Sequence, residues 1–268
     1  MALNIDHLVI EVTRKCNMNC EHCLRGPSQR KTIDNNHIYK ILQLTDNIQT
    51  LTMSGGEPTL AMDSLEQVKH CVTYGNCNVN NFYMVTNGKS INVEGLAFWA
   101  NGMRNACDDN EISAIAFSFD QWHKKTLDWK QEEKQNRNYY NLKEKMEYDY
   151  GVTDNGCGDF VCKHSDEKWS NNTLISEGRA IDIGARKKDV EYFGIDDWDG
   201  TGDTICVNDT ELYLTCSGYL VVGCDWSYHS MDNRKDIRVA HIDDINCTDD
   251  LIEAIKTHNK KEEYVGWA

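Results

Sequence analysis

A rhythm of short apolar runs, each followed by a longer polar stretch of helical length, constrains this chain more than any other feature. The runs His7–Thr13, Leu51–Ser54, Asn81–Thr86, Ile112–Phe119, Asp159–Lys163 and Thr173–Ser176 read as strands. Several are continuous Val/Ile/Phe sequences, as expected of strands covered on both faces. Between them, His37–Leu44, Ser64–Tyr74, Val93–Ala106 and Lys124–Met146 have the length of helices. Strands alternating with helices form βαβ units, which make a parallel sheet. The pattern predicts an α/β body over residues 1–195. Beyond it the pattern changes. Glu211–Thr215 and Tyr219–Gly223 flank Cys216-Ser217-Gly218, a hairpin with glycine at its turn. Asp249–Lys260 then reads as a closing helix. Residues 196–268 are expected to form a small C-terminal appendage that contains this β-hairpin.

Composition narrows the function classes. The 268 residues carry 28 basic against 43 acidic side chains, a formal charge of −15. Phosphate binding needs a basic face, so a nucleic acid is a disfavoured partner. The opening MALNIDHLVIEVTRK holds only a short apolar run broken by Glu11, which does not make a secretory signal. No run approaches the ~20 apolar residues of a spanning helix. A cytoplasmic protein with no membrane partner is expected. In that compartment, twelve cysteines point to metal or redox use rather than to disulfides.

The sharpest local signal is Cys16-Asn17-Met18-Asn19-Cys20-Glu21-His22-Cys23, spaced C-x3-C-x2-C directly after the first strand. Three thiolates in so short a loop can converge on one iron–sulfur cube or on one zinc. Structural zinc favours repeated C-x2-C pairs and a fourth ligand. There is no second knuckle nearby, and His22 is wedged between two of the cysteines. Three cysteines suit a [4Fe–4S] cluster with one iron left for an exogenous ligand, a variation on the four-cysteine rule. The second strand ends in Ser54-Gly55-Gly56-Glu57-Pro58-Thr59. Glycines at the C-terminal end of a parallel strand let a ligand approach the backbone, where α/β folds place their sites.

Together and in this order, the two motifs resemble the radical S-adenosylmethionine (radical SAM) superfamily. Thr86-Asn87-Gly88 closes the third run, Ser118-Phe119-Asp120 the fourth, and Glu177-Gly178-Arg179-Ala180 follows the sixth, so the similarity covers about the first 180 residues. It implies a partial (β/α)6 barrel with residues 1–195 as the radical SAM core. It also implies that Cys16, Cys20 and Cys23 ligate a [4Fe–4S] cluster, and that S-adenosylmethionine chelates the fourth iron. The implied cofactor surface comprises His22, Gly55, Gly56, Glu57, Pro58, Thr86, Asn87, Ser118 and Arg179. Gly55, Gly56 and Glu57 would hold the methionyl ammonium. His22 would lie near the adenine, at a position that is often aromatic in the family. Ser118 and Arg179 would lie near the ribose or the methionyl carboxylate. The implied activity is reductive cleavage of S-adenosylmethionine and hydrogen abstraction from a small molecule or a peptide.

Outside these motifs the readings stay paired. Asp120 and His123, after the fourth strand, can act on the substrate as catalytic groups, or Asp120 can simply cap the next helix. Asp225-Trp226-Ser227-Tyr228 can line a substrate pocket or pack the appendage. Cys206, Gly218 and Cys224 approximate the auxiliary-cluster extensions, SPASM or twitch, of many relatives. Cys216, at the hairpin tip, lies too far from the base to share such a cluster, so Cys247, Cys157 or Cys162 would have to complete it. Cys71, Cys77 and Cys107 read as packing thiols. No peptide-binding module fits ahead of Cys16. Arg14, Lys15, Arg25, Arg30 and Lys31 against Glu21 make a basic island around the cysteine loop, suited to docking an acidic flavodoxin or ferredoxin as electron donor. The competing reading is a non-enzymatic protein stabilised by zinc or an iron–sulfur cluster. It accounts for the cysteines but leaves the other motifs unexplained.

Overall fold

The structure, a computed structural model, describes residues 1–153, 159–164, 179, 191–197 and 200–265. Its core is a parallel sheet of β1 (Ala2–Thr13), β2 (Asn47–Gly55), β3 (Asn78–Thr86), β4 (Ala114–Ser118) and β5 (Val161–His164), adjacent in that order. The register lays one apolar row across all five: Ile10 faces Met53, Met53 faces Met84, Met84 faces Ile115, and Ile115 faces Val161. All five of these side chains are buried. The crossovers are α1 (Asn35–Gln43), α2 (Met62–Tyr74) and α3 (Val93–Ala106), followed between β4 and β5 by α4 (Gln121–Thr126) and α5 (Trp129–Tyr150). α1, α2, α3 and α5 each bury an apolar side; in α1 these residues are Ile38, Ile41 and Leu42. The order and direction of the strands agree with a partial (β/α) barrel. The sixth strand expected at Thr173–Ser176 lies outside the described residues, as do Glu177, Gly178, Ala180 and Cys157.

Two expectations are revised. The first three strands begin three to five residues earlier than their apolar runs. Their polar starts are tied sideways: Asn47 Nδ2 donates to Asn4 Oδ1 at 2.7 Å, and Asn78 Nδ2 donates to Asn47 Oδ1 at 3.1 Å. The single helix expected over Lys124–Met146 is two. Leu127 and Asp128 break it, and Asp128 starts α5 with a capping box, taking the Gln131 N–H while the Gln131 side chain accepts from the Asp128 N–H.

The C-terminal segment continues the same sheet. β6 (Gly194–Asp197) runs antiparallel to β7 (Thr204–Asn208), and β7 pairs in parallel with the first half of β1. β8 (Leu212–Leu214) pairs in parallel with its second half. The hairpin partner β9 (Tyr219–Val222) and then β10 (Arg238–His241) extend that edge. The division placed at residue 195 thus falls within β6. Gly218 makes the hairpin turn at φ 81°, a region that strongly favours glycine. α6 (Tyr228–Asn233) follows the hairpin, and α7 (Thr248–Val265) packs on β10 and β1. Among the described residues no helix is long and apolar enough to cross a membrane.

Candidate active site

The motifs carried by the first four parallel strands lie at or just past their C-terminal ends, and these ends surround one cavity of about 430 Å³. β1 runs into the cysteine loop. β2 ends in Gly55-Gly56-Glu57, β3 in Thr86-Asn87 and β4 in Ser118-Phe119-Asp120. Of the residues expected at the site, Cys16, Cys20, Cys23, His22, Gly55, Gly56, Glu57, Pro58, Asn87, Ser118, Asp120, His123 and Arg179 all line the cavity. Thr86 stands just behind it.

The glycines are there because the cysteine loop is pressed against them. Gly56 N–H donates to Thr13 O and Glu57 N–H to Lys15 O, both at 2.8 Å. A Cβ on Gly55, whose φ is 152°, would lie 2.1 Å from Thr13 O; one on Gly56 would lie 2.4 Å from Lys15 O. No other residue allows this approach. The loop is also fastened from its far side. Cys16 N–H donates to Ser28 Oγ at 2.8 Å, and Arg179 donates from its backbone N–H to Cys23 O at 3.0 Å and from Nε to Cys20 O at 2.6 Å.

Glu57 is buried and braces the floor. Oε1 accepts from Thr59 N, Thr59 Oγ1 and Thr86 Oγ1, and Oε2 accepts from Asn87 N at 2.7 Å. Burial lifts its carboxyl above the ordinary value although these donors oppose the shift. Most of its accepting capacity is thus taken by the protein. Asn87 in turn donates from Nδ2 to Asn17 Oδ1 at 2.8 Å, inside the cysteine loop. Gln135 of α5 ties two strand ends together, donating to Asn87 O at 2.7 Å and Ser118 O at 2.9 Å.

Asp120 caps α4 and also holds His123. Its Oδ1 accepts from Trp122 N and His123 N at 2.9 Å, and its Oδ2 contacts His123 Nδ1. Burial opposes a charge on His123, but the hydrogen bonds and charges of Asp120 and Cys20 outweigh it and push the imidazole up to about 10. Burial alone would raise Cys20, yet its hydrogen bond to His123 brings the thiol below its ordinary value. Burial pushes Cys16 up to about 11. His22 is pushed down to about 4 by burial, with the His123 charge adding to the effect. The His22 ring stacks on Trp122, centroids 5.8 Å apart, and meets His123 edge-on at 4.9 Å.

The donor set fits a cluster better than one ion. The sulfurs of Cys16, Cys20 and Cys23 line one cavity but are not all within 4.8 Å of one another. Three thiolates on one zinc, at Zn–S of about 2.3 Å, would stand only about 3.8 Å apart. The group that does converge to 4.8 Å among the described residues is His22, Asp120 and His123. Cys206 lies on β7 opposite Asn4, whose Nδ2 donates to its Sγ at 3.6 Å. Cys224 follows β9, with its thiol 3.6 Å from Asp225 Oδ1.

The basic island is corrected by the structure. Arg14 is fully buried, and Arg25 is half-buried with its guanidinium turned inward onto the Cys224 and Trp226 carbonyls. Lys15, Arg30 and Lys31 are its exposed members. Trp122 and Met18 are wall residues that the motifs did not announce. Asp225 and Tyr228 do line the cavity, so their segment belongs to the site.

No family model matches this sequence. The uncharacterized protein MJ0907 of Methanocaldococcus jannaschii is 34% identical over 98 residues, 34% of this chain and 34% of that protein. The alignment thus spans about a third of the curated relative's length. Among solved structures, native anSMEcpe with bound AdoMet and Cp18Cys peptide aligns over 97% of this chain and 83% of its own, at 14% identity and a TM-score of 0.55. SuiB of Streptococcus suis bound to precursor peptide SuiA aligns over 84% of this chain and 60% of its own, at 12% identity and a TM-score of 0.34, too low to establish a common fold. The chain shares the fold of anSMEcpe.

Proposed function

We propose that this protein is a radical SAM enzyme acting on a peptide or small molecule, with a [4Fe–4S] cluster held by Cys16, Cys20 and Cys23. The observation that carries the reading is the fit of Gly55 and Gly56 onto the backbone that leads into the cysteine loop, at the floor of one shared cavity. Cluster and S-adenosylmethionine together supply one chemistry, reductive cleavage to a 5′-deoxyadenosyl radical that takes a hydrogen atom from carbon. The chain's own part is to bind, orient and shield. Gly55 and Gly56 leave room along the backbone, Glu57 locks the strand ends, and His22 with Trp122 forms a flat wall. Asn87 and Ser118 border the same space.

Charge in the cavity speaks to the substrate. Among the described residues that line it, Arg179 is the one arginine or lysine, and it is engaged by the loop carbonyls. Asp225 and Tyr228 form part of its wall. A substrate group that donates hydrogen bonds or carries positive charge suits that wall; a phosphate or carboxylate does not. The peptide in the anSMEcpe structure supports a peptide as the substrate class. The electron comes from an acidic flavodoxin or ferredoxin, for which Lys15, Arg30 and Lys31 are the exposed cations nearest the loop. Anaerobic reconstitution tests the reading. About four irons per chain, and 5′-deoxyadenosine released on reduction with S-adenosylmethionine, are expected. Stoichiometric zinc with no cleavage would overturn it.

A further inference from the structure

Two arginines bracket the cysteine triplet, one two residues before Cys16 and one two residues after Cys23, and both reach residues of the C-terminal segment. Arg14 donates from Nη1 to Asp232 Oδ2 at 2.6 Å and from Nε to Glu11 Oε2 at 2.9 Å, while its guanidinium lies 4.6 Å from the Tyr228 ring centroid. Arg25 donates from Nη1 to Cys224 O at 2.5 Å and Trp226 O at 2.6 Å, and lies 4.9 Å from the centre of the Tyr213 ring. Its own carbonyl accepts from Tyr228 N at 3.1 Å. Withdrawing a guanidinium from water is unfavourable unless its hydrogen bonds are made elsewhere. For Arg25 they are made by the Cys224 and Trp226 carbonyls, some two hundred residues away in sequence; for Arg14 they are made by Glu11, Gln29 and the equally distant Asp232, with Nη2 left without a partner among the described residues. The arrangement ties both ends of the loop to the hairpin and α6.

We propose that Arg14 and Arg25 are positioning residues that clamp the two ends of the cysteine loop to residues 213–232. The C-terminal segment thereby holds the ligand loop in place through hydrogen bonds that need no metal. The clamp itself stands on these contacts; only its consequence for iron retention rests on the radical SAM reading.

Hydrogen exchange on the full-length, metal-free protein tests the clamp directly. Arg25→Met removes two charge-assisted bonds while keeping the aliphatic stem. Amides of residues 16–26 should then exchange at least about tenfold faster, with β2, β3 and β4 unchanged. Arg25→Lys keeps a donor and should stay within about threefold of wild type. In reconstituted protein, Arg25→Met should lose iron to a chelator about tenfold faster than wild type. Should Arg25→Met lose its far-UV circular dichroism, Asp232→Asn carries the same test on the other clamp, with exchange at least about threefold faster expected over the loop. Loop exchange within about twofold of wild type in the folded variant, or equal acceleration throughout β2–β4, overturns the clamp. A wild-type protein that takes up no iron would instead overturn the enzyme reading and leave the exchange result standing.

Discussion

Gly56→Ala is the most revealing single substitution. A Cβ at this position would sit 2.4 Å from Lys15 O, 2.8 Å from Lys15 C and 2.9 Å from Cys16 Cβ. The first two are backbone atoms, so no side-chain rotation relieves them, and separation to ordinary contact requires a shift of about 1 Å. Forcing such a shift in a packed region costs about 1–3 kcal/mol. The bonds from Gly56 N–H to Thr13 O and from Glu57 N–H to Lys15 O hold the same strands together, and weakening one adds about 1 kcal/mol. The sum, roughly 2–4 kcal/mol, corresponds to a melting temperature lower by roughly 5–15 °C for a chain of this length. Gly151→Ala is the control. Gly151 has φ 67°, but among the described residues a Cβ added there would meet no atom within 4 Å, so the left-handed backbone penalty of about 1–2 kcal/mol applies. Thermal unfolding of metal-free protein compares the two, and iron content after reconstitution shows whether the displacement reaches Cys16. A Gly56→Ala protein that melts with wild type and binds full iron would refute the claim that the loop rests on this glycine.

Further outcomes follow from the same contacts. Cys16→Ala, Cys20→Ala or Cys23→Ala should each abolish 5′-deoxyadenosine release, while Cys71→Ala and Cys107→Ala, in the packed core, should keep it; equal loss in all five would remove the triplet's special role. Iron analysis of the Cys206→Ala/Cys224→Ala double variant should still find about four irons per chain; eight in wild type, halved in the variant, would establish an auxiliary cluster. Burial works against the Asp232 carboxylate, but the Arg14 hydrogen bond and charge hold its pKa below the ordinary 3.8. A lowered folded pKa contributes stability that is complete above the unfolded value and is lost as pH falls through the folded one. Asp232→Asn should therefore be less stable than wild type at pH 7, with the gap closing as pH drops below about 4; urea titrations that show a constant gap down to pH 3 would count against the pair.

How much of this was legible in the sequence depends on which physical term set each feature. β1 to β4 and the helices α1 to α3 announced themselves because burial on both faces needs apolar runs. The glycine-bearing strand ends were legible because glycine there marks a close approach to the backbone, which the cysteine loop makes. The polar starts of β1, β2 and β3 were not, since Asn4, Asn47 and Asn78 satisfy one another across strands, a pairing with no periodic signature. Gln135 and Asn138 lie on the buried face of α5 with Tyr139, Leu142 and Met146, where a polar residue reads as a break in the stripe. Their carbonyl partners at Asn87, Ser118 and Gly88 become visible only in three dimensions. Arg14 and Arg25 misled for the opposite reason. A charge count assigns arginine to the surface, and nothing local reveals the Cys224 and Trp226 carbonyls or the Asp232 carboxylate arriving from beyond residue 220.

The buried polar atoms carry the argument about the cavity one step further. Folded proteins leave few such atoms without a hydrogen-bond partner. His22 Nδ1, Trp122 Nε1 and Tyr228 Oη are all buried without one among the described residues, and all three residues line the same cavity. An apolar occupant would leave each of them unsatisfied, at about 1–3 kcal/mol apiece. Trp122 Nε1 can only donate, so the group that completes it must accept. Tyr228 Oη can do either, and His22, held neutral by burial, offers a donor or an acceptor according to its tautomer. A polar ligand with acceptors toward Trp122, such as the heterocycle and ribose of a nucleoside, satisfies that wall, whereas a bare metal ion cannot satisfy the indole.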